Sequence, residues 1–509
     1  MSGAADLKVR EDRASFWATL GSCAMSRTAA SVDGGSPGVA SPFNGSIPPG
    51  RPGLVSPSPL RRSWELARWI LDPTGFMQAQ SRRGKDSFQV SVFGSAMGTG
   101  PVFLLSEPRT LQALMSRDTG SEFSSPGELN LLLSPMLGVR NTILLSGISH
   151  RHRRQLVMPR FHGEHLQNYG RLIERITREE MATWPQQGEI SVREAMQRIS
   201  MGVILEVVFG LGQRERHGEL EALLTRRLGM TATPLTSAVL FFPWLQKDLG
   251  PLSPGRRINQ LAQQTDDLLY AMIAERRAQP HGDRFDVLSM LLEARDEAGE
   301  PLSDVDVRDE LMTLLVAGHE TTATALTAAL YWLHRTPHAL ERLRSELDGA
   351  GVGADPMKLP YLTAVGQETL RLHPVAMLSF ARQVQTPVEL GGQCYEPGDL
   401  LMACIYLLHL RPDLYPEPQH FRPERFLERQ FSPYEYMPFG AGVRRCVGAA
   451  LAQMELKLVL ATVLGEMDFA SANSRAVPQA RRGVTLGHGA PVRLRRVARQ
   501  RAVAPTQPL

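Results

Sequence analysis

The amino-acid sequence predicts a mainly α-helical protein with a smaller β region. Between residues 164 and 347, apolar residues recur with the 3.6-residue period of helices, and Arg and Glu occupy the opposite face. Short runs rich in β-branched and aromatic residues precede this region, and short apolar runs bounded by Gly and Pro follow Pro374. The 509 residues are 43% hydrophobic, so the chain can bury a large core, which excludes a wholly disordered, collagen-like or disulfide-scaffold protein.

The two ends of the chain differ in composition from its centre. From residue 22 to residue 59, Ser, Gly, Pro and Ala dominate, and such a segment buries too little apolar surface to offset the entropy of ordering its backbone. We therefore expect a disordered extension over residues 1–47, one folded domain over residues 48–495, and a basic flexible tail over residues 496–509.

The predicted elements of the folded part follow in order along the chain. A β-hairpin with a Gly-rich turn comes first, at residues 87–93 and 101–105. Amphipathic helices follow, and after Pro374 there are short strands and one strong last helix. These helices are predicted at residues 169–184, 192–209, 259–278 and 449–464, and the late strands at residues 388–390 and 400–405.

The longest predicted helix begins near Ser303 and ends before Pro337. Acidic residues in its first turn favour the positive end of the helix dipole, and about 45–50 Å of helix, at roughly 1.5 Å per residue, would cross a domain of this size. Its centre, AGHETT at residues 317–322, combines Gly with His, Glu and Thr where a buried helix should be apolar. A glycine there costs about 1 kcal/mol and unpaired buried polar groups cost more, so we interpret the stretch as a functional site.

A lone cysteine, Cys446, lies in the glycine-containing loop FGAGVRRCVG at residues 439–448, directly before the last helix. A thiolate in this place could bind a soft metal, and the positive N-terminus of the helix would stabilise its charge. Gly442 and Gly448 would let the backbone approach a flat cofactor closely. The alternative is an inert buried cysteine in an ordinary loop.

In these motifs the chain resembles the cytochrome P-450 family of haem-thiolate monooxygenases, and it is similar to soluble bacterial members that hydroxylate fatty acids or alkanes. Glu368 and Arg371 in ETLR match the family's E-x-x-R, and Arg425 lies in PERF, which matches the later meander. The resemblance spans residues 48–495 and implies a cytochrome P-450 fold with haem between the long central helix and the cysteine loop. Glu368, Arg371 and Arg425 would form a buried structural network, although by spacing alone an i,i+3 Glu/Arg pair is usually a surface salt bridge.

The resemblance also implies the cofactor, haem b (iron protoporphyrin IX), with Cys446 as the axial ligand of the iron. His150 and Arg154 match an H-x-x-x-R on an early helix, and Arg382 and Arg444 are further bases for the two propionates, because a guanidinium pairs well with carboxylates. Any one of these bases could instead be a solvated surface residue. The residues expected to contact haem are His150, Arg154, Ala317, Gly318, Arg382, Phe439, Arg444, Cys446 and Gly448.

The AGHETT sequence matches the family's oxygen-activating motif. The resemblance implies that Gly318 leaves space for dioxygen and that Glu320 and Thr321 are the catalytic acid and alcohol, which deliver protons. Considered alone, the threonines could instead donate hydrogen bonds to carbonyls of their own helix, and Glu320 could lie on a solvated face.

Electrons must come from another protein, because no segment carries the Gly-rich fingerprint of a flavin- or NAD-binding domain. The resemblance implies a ferredoxin or flavodoxin with its reductase. A basic face formed by Arg151, Arg153, Arg160 and Arg445 is expected to bind this acidic donor. The basic sequence at residues 493–501 is expected to be a solvated end of the chain.

Four largely apolar segments, at residues 122–145, 228–249, 375–380 and 484–488, are expected to line a substrate pocket. An apolar pocket gains about 25 cal/mol per Å² of apolar surface buried, so the predicted substrate is a lipophilic small molecule. Fatty acids, alkanes, terpenoids and polyketide-like compounds all fit this description. Alternatively, the four segments pack only against one another.

The predicted function is therefore that of a haem-thiolate monooxygenase, which uses dioxygen and two external electrons to hydroxylate or epoxidise its substrate. Two alternatives stay open at this point. One is a haem-thiolate enzyme that uses peroxide or rearranges an oxygenated substrate, and the other is a non-catalytic haem sensor.

Composition excludes several other classes. The formal net charge of +4 is small for this length, which argues against a nucleic-acid partner. The four cysteines show no paired spacing typical of a disulfide framework or a zinc site, and no stretch has the composition of a transmembrane anchor. We expect a soluble cytoplasmic monomer.

Overall fold

The structure is a computed structural model. It describes residues 58–498 except for 83–85, 92–100, 211–213, 232, 234–235, 251–252, 280–285, 297 and 352. The expected extension over residues 1–47, most of the expected tail and the turn of the first hairpin lie outside the described residues.

Most of the described residues are helical, which confirms the mainly α fold. Several helices begin with a side-chain cap followed by proline, as at Ser58, Asp72 and Ser253. Among the helices that the structure describes, none is both long and apolar enough to cross a membrane. In chain order the helices are α1 (Pro59–Leu71), α2 (Pro73–Ser81), α3 (Pro108–Ser116), α4 (Ser134–Leu137), α5 (Gly147–Val157), α6 (Glu164–Ala182), α7 (Val192–Phe209), α8 (Arg214–Gly229), α9 (Ala238–Phe241), α10 (Pro254–Ala278), α11 (Val287–Glu293), α12 (Asp304–Arg335), α13 (Pro337–Ala350), α14 (Pro360–Leu372), α15 (Ile405–Leu408), α16 (Arg425–Glu428) and α17 (Ala449–Glu466).

Within the described part of the chain, the β region is small and divided among four sheets. The strands are β1 (Ser87–Val90), β2 (Val102–Leu105), β3 (Phe123–Ser124), β4 (Glu189–Ser191), β5 (Arg382–Val384), β6 (Val388–Leu390), β7 (Gln393–Tyr395), β8 (Leu400–Ala403), β9 (Asp468–Ser471), β10 (Gln479–Arg482), β11 (Thr485–His488) and β12 (Arg493–Val497). The largest sheet has the order β1-β2-β8-β5-β3, in which the predicted hairpin β1-β2 is antiparallel and β2 runs parallel to β8. The others are β4-β12-β9 and the hairpins β6-β7 and β10-β11.

The long helix α12 has the bounds that the sequence predicts. The Ser303 hydroxyl caps it by accepting a hydrogen bond from the Asp306 amide, and its C-terminus precedes Pro337. Helix α12 packs along α7 and also contacts α17, and these three helices share the main hydrophobic core. The polar centre of α12 is therefore enclosed by other elements rather than placed at the surface.

The C-terminal strand β12 changes one expected boundary. It extends to Val497, two residues past the expected domain end at residue 495, and it pairs with β4 on one side and β9 on the other. Residues 493–497 therefore form the middle strand of a sheet and are not a solvated end, because their backbone hydrogen bonds join both neighbouring strands.

Candidate functional site

A cavity of about 670 Å³ lies between the centre of α12 and the cysteine loop. Residues from all four predicted pocket segments line it, for example Leu133, Leu240, Met377 and Val484. These segments therefore face a shared space and do not pack only against one another. Trp244 is an exception, since it is 58% exposed and lies outside the cavity wall.

The loop that carries Cys446 is closed by a hydrogen bond of 2.9 Å from the Cys446 amide to the Phe439 carbonyl. Gly440 and Gly442 have φ values of 66° and 67°, a conformation that other residues rarely adopt. A Cβ on Gly442 would also overlap the carboxylate of Asp118. Glycine is therefore required at residue 442 by both backbone and packing.

The Cys446 side chain is accessible from the cavity that it lines. Protein atoms surround the thiol on its other sides. Burial raises the pKa of the Cys446 thiol, and a hydrogen bond from the Gly448 amide and the charges of Arg154 and Arg445 act in the opposite direction. Gly448 is also the N-cap of α17, so the sulfur lies at the positive end of that helix. A bound metal ion would deprotonate the thiol outright.

On the opposite wall, the AGHETT stretch forms a regular part of α12. Ala317 and Thr321 face the cavity, and the Thr321 hydroxyl donates a hydrogen bond of 2.6 Å to the Ala317 carbonyl. Gly318 lines the cavity, but a Cβ there would lie 2.8 Å from Ile204 Cδ1 on α7. The close approach of Ile204 on α7 therefore disfavours a side chain at residue 318, and the expected space for dioxygen stays a prediction.

Glu320 does not lie on a solvated face. It forms an ion pair with Arg193, and its second oxygen accepts a hydrogen bond of 3.0 Å from the side-chain amide of Gln197. Arg193 also reaches Thr324 Oγ1 at 3.5 Å. Sequence reasoning missed Arg193 and Gln197, whose spacing of four residues on one helix is the only signal that they share a face.

A second buried polar group lies behind the same part of α12. Ser200 donates hydrogen bonds to the carbonyls of Gly318 and His319, at 3.4 and 3.2 Å. Burial lowers the pKa of His319 to about 4 and raises the pKa of Glu455 to about 8, so both side chains are uncharged at neutral pH. Glu455 also lines the cavity, and the sequence analysis did not single it out.

Glu368, Arg371 and Arg425 form one buried network. Arg371 donates to both oxygens of Glu368 at 2.6 and 2.8 Å, and Arg425 Nε donates to Glu368 Oε1 at 3.1 Å. Arg371 also donates to the carbonyls of His409 and Pro418, at 2.7 and 2.8 Å. The i,i+3 pair is therefore a buried tie between α14 and the segment before the cysteine loop, and not a surface salt bridge.

His409 extends this network to the cysteine loop. Its Nε2 accepts a hydrogen bond of 3.0 Å from the Met437 amide, and its ring stacks on Tyr436. Burial and the charge of Arg371 lower the pKa of His409 to about 3, so the ring stays neutral and can accept this bond. The network thus positions the backbone two residues before Phe439.

Arg382 and Arg444, two of the expected propionate contacts, both line the cavity and are buried. Arg382 pairs with Asp118 through Nε and Nη2 at 3.0 and 2.8 Å. Arg444 makes five hydrogen bonds, chiefly to backbone carbonyls between residues 125 and 145. Burial lowers its pKa to about 10. Both guanidinium groups therefore also hold chain segments together at this end of the cavity.

His150 and Arg154 lie one turn apart on α5 and also line the cavity. Burial, together with the nearby charge of Arg444, lowers the pKa of His150 to about 4. The Arg154 guanidinium has no hydrogen-bond or carboxylate partner among the described residues. A positive charge at the cavity wall is thus available to an acidic ligand.

The expected basic face is smaller than predicted. Arg153 is 6% exposed and pairs with Asp306 at 3.1 Å and with Glu310 at 3.5 Å, so its charge is neutralised inside the protein. Arg151 and Arg445 are exposed and Arg160 is half-buried. Helical periodicity explains the difference, because residues 151 and 153 point to different sides of α5.

The groups around the cavity fit a flat iron cofactor with acidic side chains. Cys446 presents a soft ligand, and a Cβ on Gly448 would meet no atom within 4 Å, so the backbone there leaves open space. Arg154 supplies a charge that no described residue pairs with, and Arg382, Arg444 and His150 share its region of the wall. A soft axial ligand beside open space and a set of bases is the combination that haem requires.

Comparisons with known proteins agree on one family. The family model described as Cytochrome P450 matches residues 80–488. Cytochrome P450 135B1 of Mycobacterium bovis is 34% identical over 82% of this chain and 87% of its own length. Cytochrome P450 138 of Mycobacterium tuberculosis is 36% identical over 72% of this chain and 79% of its own length.

Two solved structures are similar in fold. One is the crystal structure of the cytochrome P450DA heme domain, with a TM-score of 0.72 and 22% identity over 84% of this chain and 93% of that one. The other is retinoic acid-bound cyanobacterial CYP120A1, with a TM-score of 0.74 and 23% identity over 85% of this chain and 96% of that one.

Proposed function

The chain belongs to the cytochrome P450 family of haem monooxygenases, and on that premise we propose that it hydroxylates or epoxidises a lipophilic small molecule between Cys446 and α12. One observation carries the proposal. A single, mostly apolar cavity contains a thiol on one wall, and the alcohol and acid of Thr321 and Glu320 on the other. An oxygen-inserting site needs a soft iron ligand, proton donors and an apolar space, and all three meet here.

The cofactor that we propose is haem b, bound by Cys446, with its propionates received by Arg382, Arg444, Arg154 and His150. When bound, haem with a thiolate ligand supplies the reductive activation of dioxygen and the transfer of one oxygen atom to the substrate. The Gly448 amide and the N-terminus of α17 stabilise the negative sulfur.

On the opposite wall, this chain's own residues manage protons. The Thr321 hydroxyl holds a hydrogen bond to the Ala317 carbonyl and keeps its oxygen open to the cavity as an acceptor. Glu320 is held beside it by Arg193 and Gln197. Glu320 is a carboxylate in this ion pair, so it relays protons by accepting one from water and passing it on towards Thr321, and the surrounding apolar wall excludes bulk water.

Family members generally take electrons from redox partners. We propose a cytoplasmic ferredoxin or flavodoxin that binds the exposed charges of Arg151 and Arg445, next to the segments that carry His150 and Cys446. Reversing both charges to Glu should slow reduction by a ferredoxin at least about tenfold at low salt, whereas Arg495→Glu on β12 should not. An unchanged rate in the double variant would contradict this part of the proposal.

The first experiment is the absorption spectrum of the haem-loaded protein, reduced under carbon monoxide. The wild type should show the long-wavelength Soret band of thiolate-ligated haem, and Cys446→Ser should lose it. Cys394→Ser is the matched control, because Cys394 is exposed and lies outside the cavity. A band that persists in Cys446→Ser would overturn the assignment of the ligand. Product formed with peroxide, but none with donor and dioxygen, would favour a peroxide-using enzyme instead.

A further inference from the structure

Arg482 is a charged side chain at the cavity wall that the proposed mechanism does not use. It lies at the end of β10, paired across the hairpin with Thr485, and both residues line the cavity. The Nε of Arg482 is buried without a hydrogen-bond partner, and its guanidinium has no ion pair with a described residue. A partly desolvated guanidinium with a buried, unsatisfied N–H is unfavourable, which points to a partner outside the described residues.

The charges around Arg482 do not supply that partner. A Cβ placed on Gly487 would lie 2.7 Å from Arg482 Cδ and 3.9 Å from Arg193 Nη1, so the two arginines share one corner of the site. Both oxygens of Glu320 are already engaged, one by Arg193 and the other by Gln197. The corner therefore holds two guanidinium groups and one carboxylate, which leaves one positive charge in excess.

The local electrostatics agree with this charge count. Burial and the charge of Arg193 lower the pKa of Arg482, and Glu320 acts in the opposite direction. The neighbouring His488 adds no charge, because burial and the nearby His373, Arg193 and Arg482 hold its pKa well below the usual value. An anion that enters this corner would meet a partly desolvated cation, where hydrogen bonds to charged groups are strongest.

The haem propionates are not the missing partner, because their proposed bases form a separate group. Arg444, Arg154 and Arg382 act together on the pKa of His150, whereas Arg193 and Glu320 act on that of Arg482. Two sets of cations thus line one cavity. One set suits the two acidic groups of the cofactor, and the other is available to a second ligand.

We propose that Arg482 binds the carboxylate of the substrate, so that this enzyme oxidises a long apolar acid and not a neutral hydrocarbon. The inference rests on the proposed function and names the substrate class of the same cavity. A guanidinium donates two parallel hydrogen bonds to a carboxylate, and one excess positive charge matches a monoanion. The remaining wall is apolar and receives the hydrocarbon part.

The test compares dodecanoate with 1-dodecanol, which has the same chain length and no charge, by calorimetric titration of the holoenzyme. The wild type should bind dodecanoate at least about tenfold more tightly than dodecanol. Arg482→Gln should weaken dodecanoate binding about tenfold or more and change dodecanol binding less than about twofold. Arg482→Lys keeps the charge but loses the two parallel N–H donors of the guanidinium, so it should give an intermediate affinity for dodecanoate. Arg495→Gln should change the affinity for neither ligand.

Equal affinity of the wild type for the two ligands would overturn the proposal, as would an equal loss for both in Arg482→Gln. The wild-type comparison and the Lys variant keep the test decisive if the Gln variant folds poorly. Failure of the proposed function has a different signature, because it appears in the Soret band under carbon monoxide or in the product formed with donor and dioxygen. Calorimetry does not depend on that band, so the two failures are distinguishable.

Discussion

The two walls of the cavity are built in opposite ways. The cysteine loop is surrounded by satisfied groups, since Arg382 pairs with Asp118 and Arg371 and Arg425 converge on Glu368. The centre of α12 instead exposes Ala317 to the cavity and leaves Thr321 partly open to it, with the Thr321 hydroxyl bonded to its own helix. The wall around the cysteine loop holds the cofactor-binding residues in position, and the α12 wall provides the groups that take part in the reaction. Changes in the first should therefore affect folding and cofactor binding, and changes in the second should affect the reaction alone.

The largest effect is expected from Arg371→Ala. Both partners of the Glu368–Arg371 pair have fully buried side chains, so the substitution leaves Glu368 with Arg425 as its remaining guanidinium partner and leaves the carbonyls of His409 and Pro418 without their donor. It should lower the free energy of unfolding by about 3–5 kcal/mol. Chemical denaturation and the haem content of the purified protein measure the effect.

The matched control for that pair is Lys358→Ala, which breaks an i,i+3 pair with Asp355 in which the lysine side chain is 84% exposed. This substitution should lower the free energy of unfolding by less than about 1 kcal/mol. A similarly small loss of stability in Arg371→Ala would mean that the wall around the cysteine loop is not stabilised by the buried network of Glu368, Arg371 and Arg425.

An intermediate effect is expected from Gly442→Ala, with Gly440→Ala as its partner. Both glycines have positive φ, so backbone strain should lower the free energy of unfolding of each alanine variant by about 1–2 kcal/mol. Only at residue 442 does the Cβ also overlap Asp118 and approach Arg382 Nη2 at 3.1 Å. Gly442→Ala should therefore be the less stable variant in thermal unfolding and should bind haem less well. Equal stability of the two variants would show that backbone strain, and not the overlap with Asp118, causes the loss of stability.

The smallest effect on stability is expected from Thr321→Ala on the other wall. Among the described residues the Thr321 hydroxyl bonds only to its own helix, so its loss should change the free energy of unfolding by less than about 0.5 kcal/mol. Product formed per electron pair should nevertheless fall, with more peroxide released, because the alcohol that passes protons is missing.

Thr327→Ala is the control for that change. Its hydroxyl makes the same type of bond, 2.7 Å to the Ala323 carbonyl, but it is buried away from the cavity. It should leave the ratio of product to peroxide unchanged. A wild-type ratio in Thr321→Ala would place proton delivery elsewhere on the α12 wall.

Much of the cysteine wall could be predicted from the sequence, and less of the α12 wall. The loop around Cys446, the E-x-x-R pair and the bounds of α12 follow from local spacing and from family motifs. The ion pair of Glu320 with Arg193 and that of Arg382 with Asp118 could not be read in this way. Their partners are 127 and 264 residues apart, and no periodic pattern links positions that distant.

The order of residues along the chain specifies which chemical groups are available, namely a thiol between glycines before a helix, and an acid and an alcohol inside an otherwise apolar helix. These are local properties, because glycine conformation, helix capping and side-chain type depend on neighbours in the chain. The tertiary structure alone decided which charges are used. It buries Arg153 against Asp306, packs Gly318 against Ile204 and leaves the Nε of Arg482 without a hydrogen-bond partner among the described residues. The physical reason is that burial and ion pairing depend on distances in space, which only the packing of whole helices and hairpins sets.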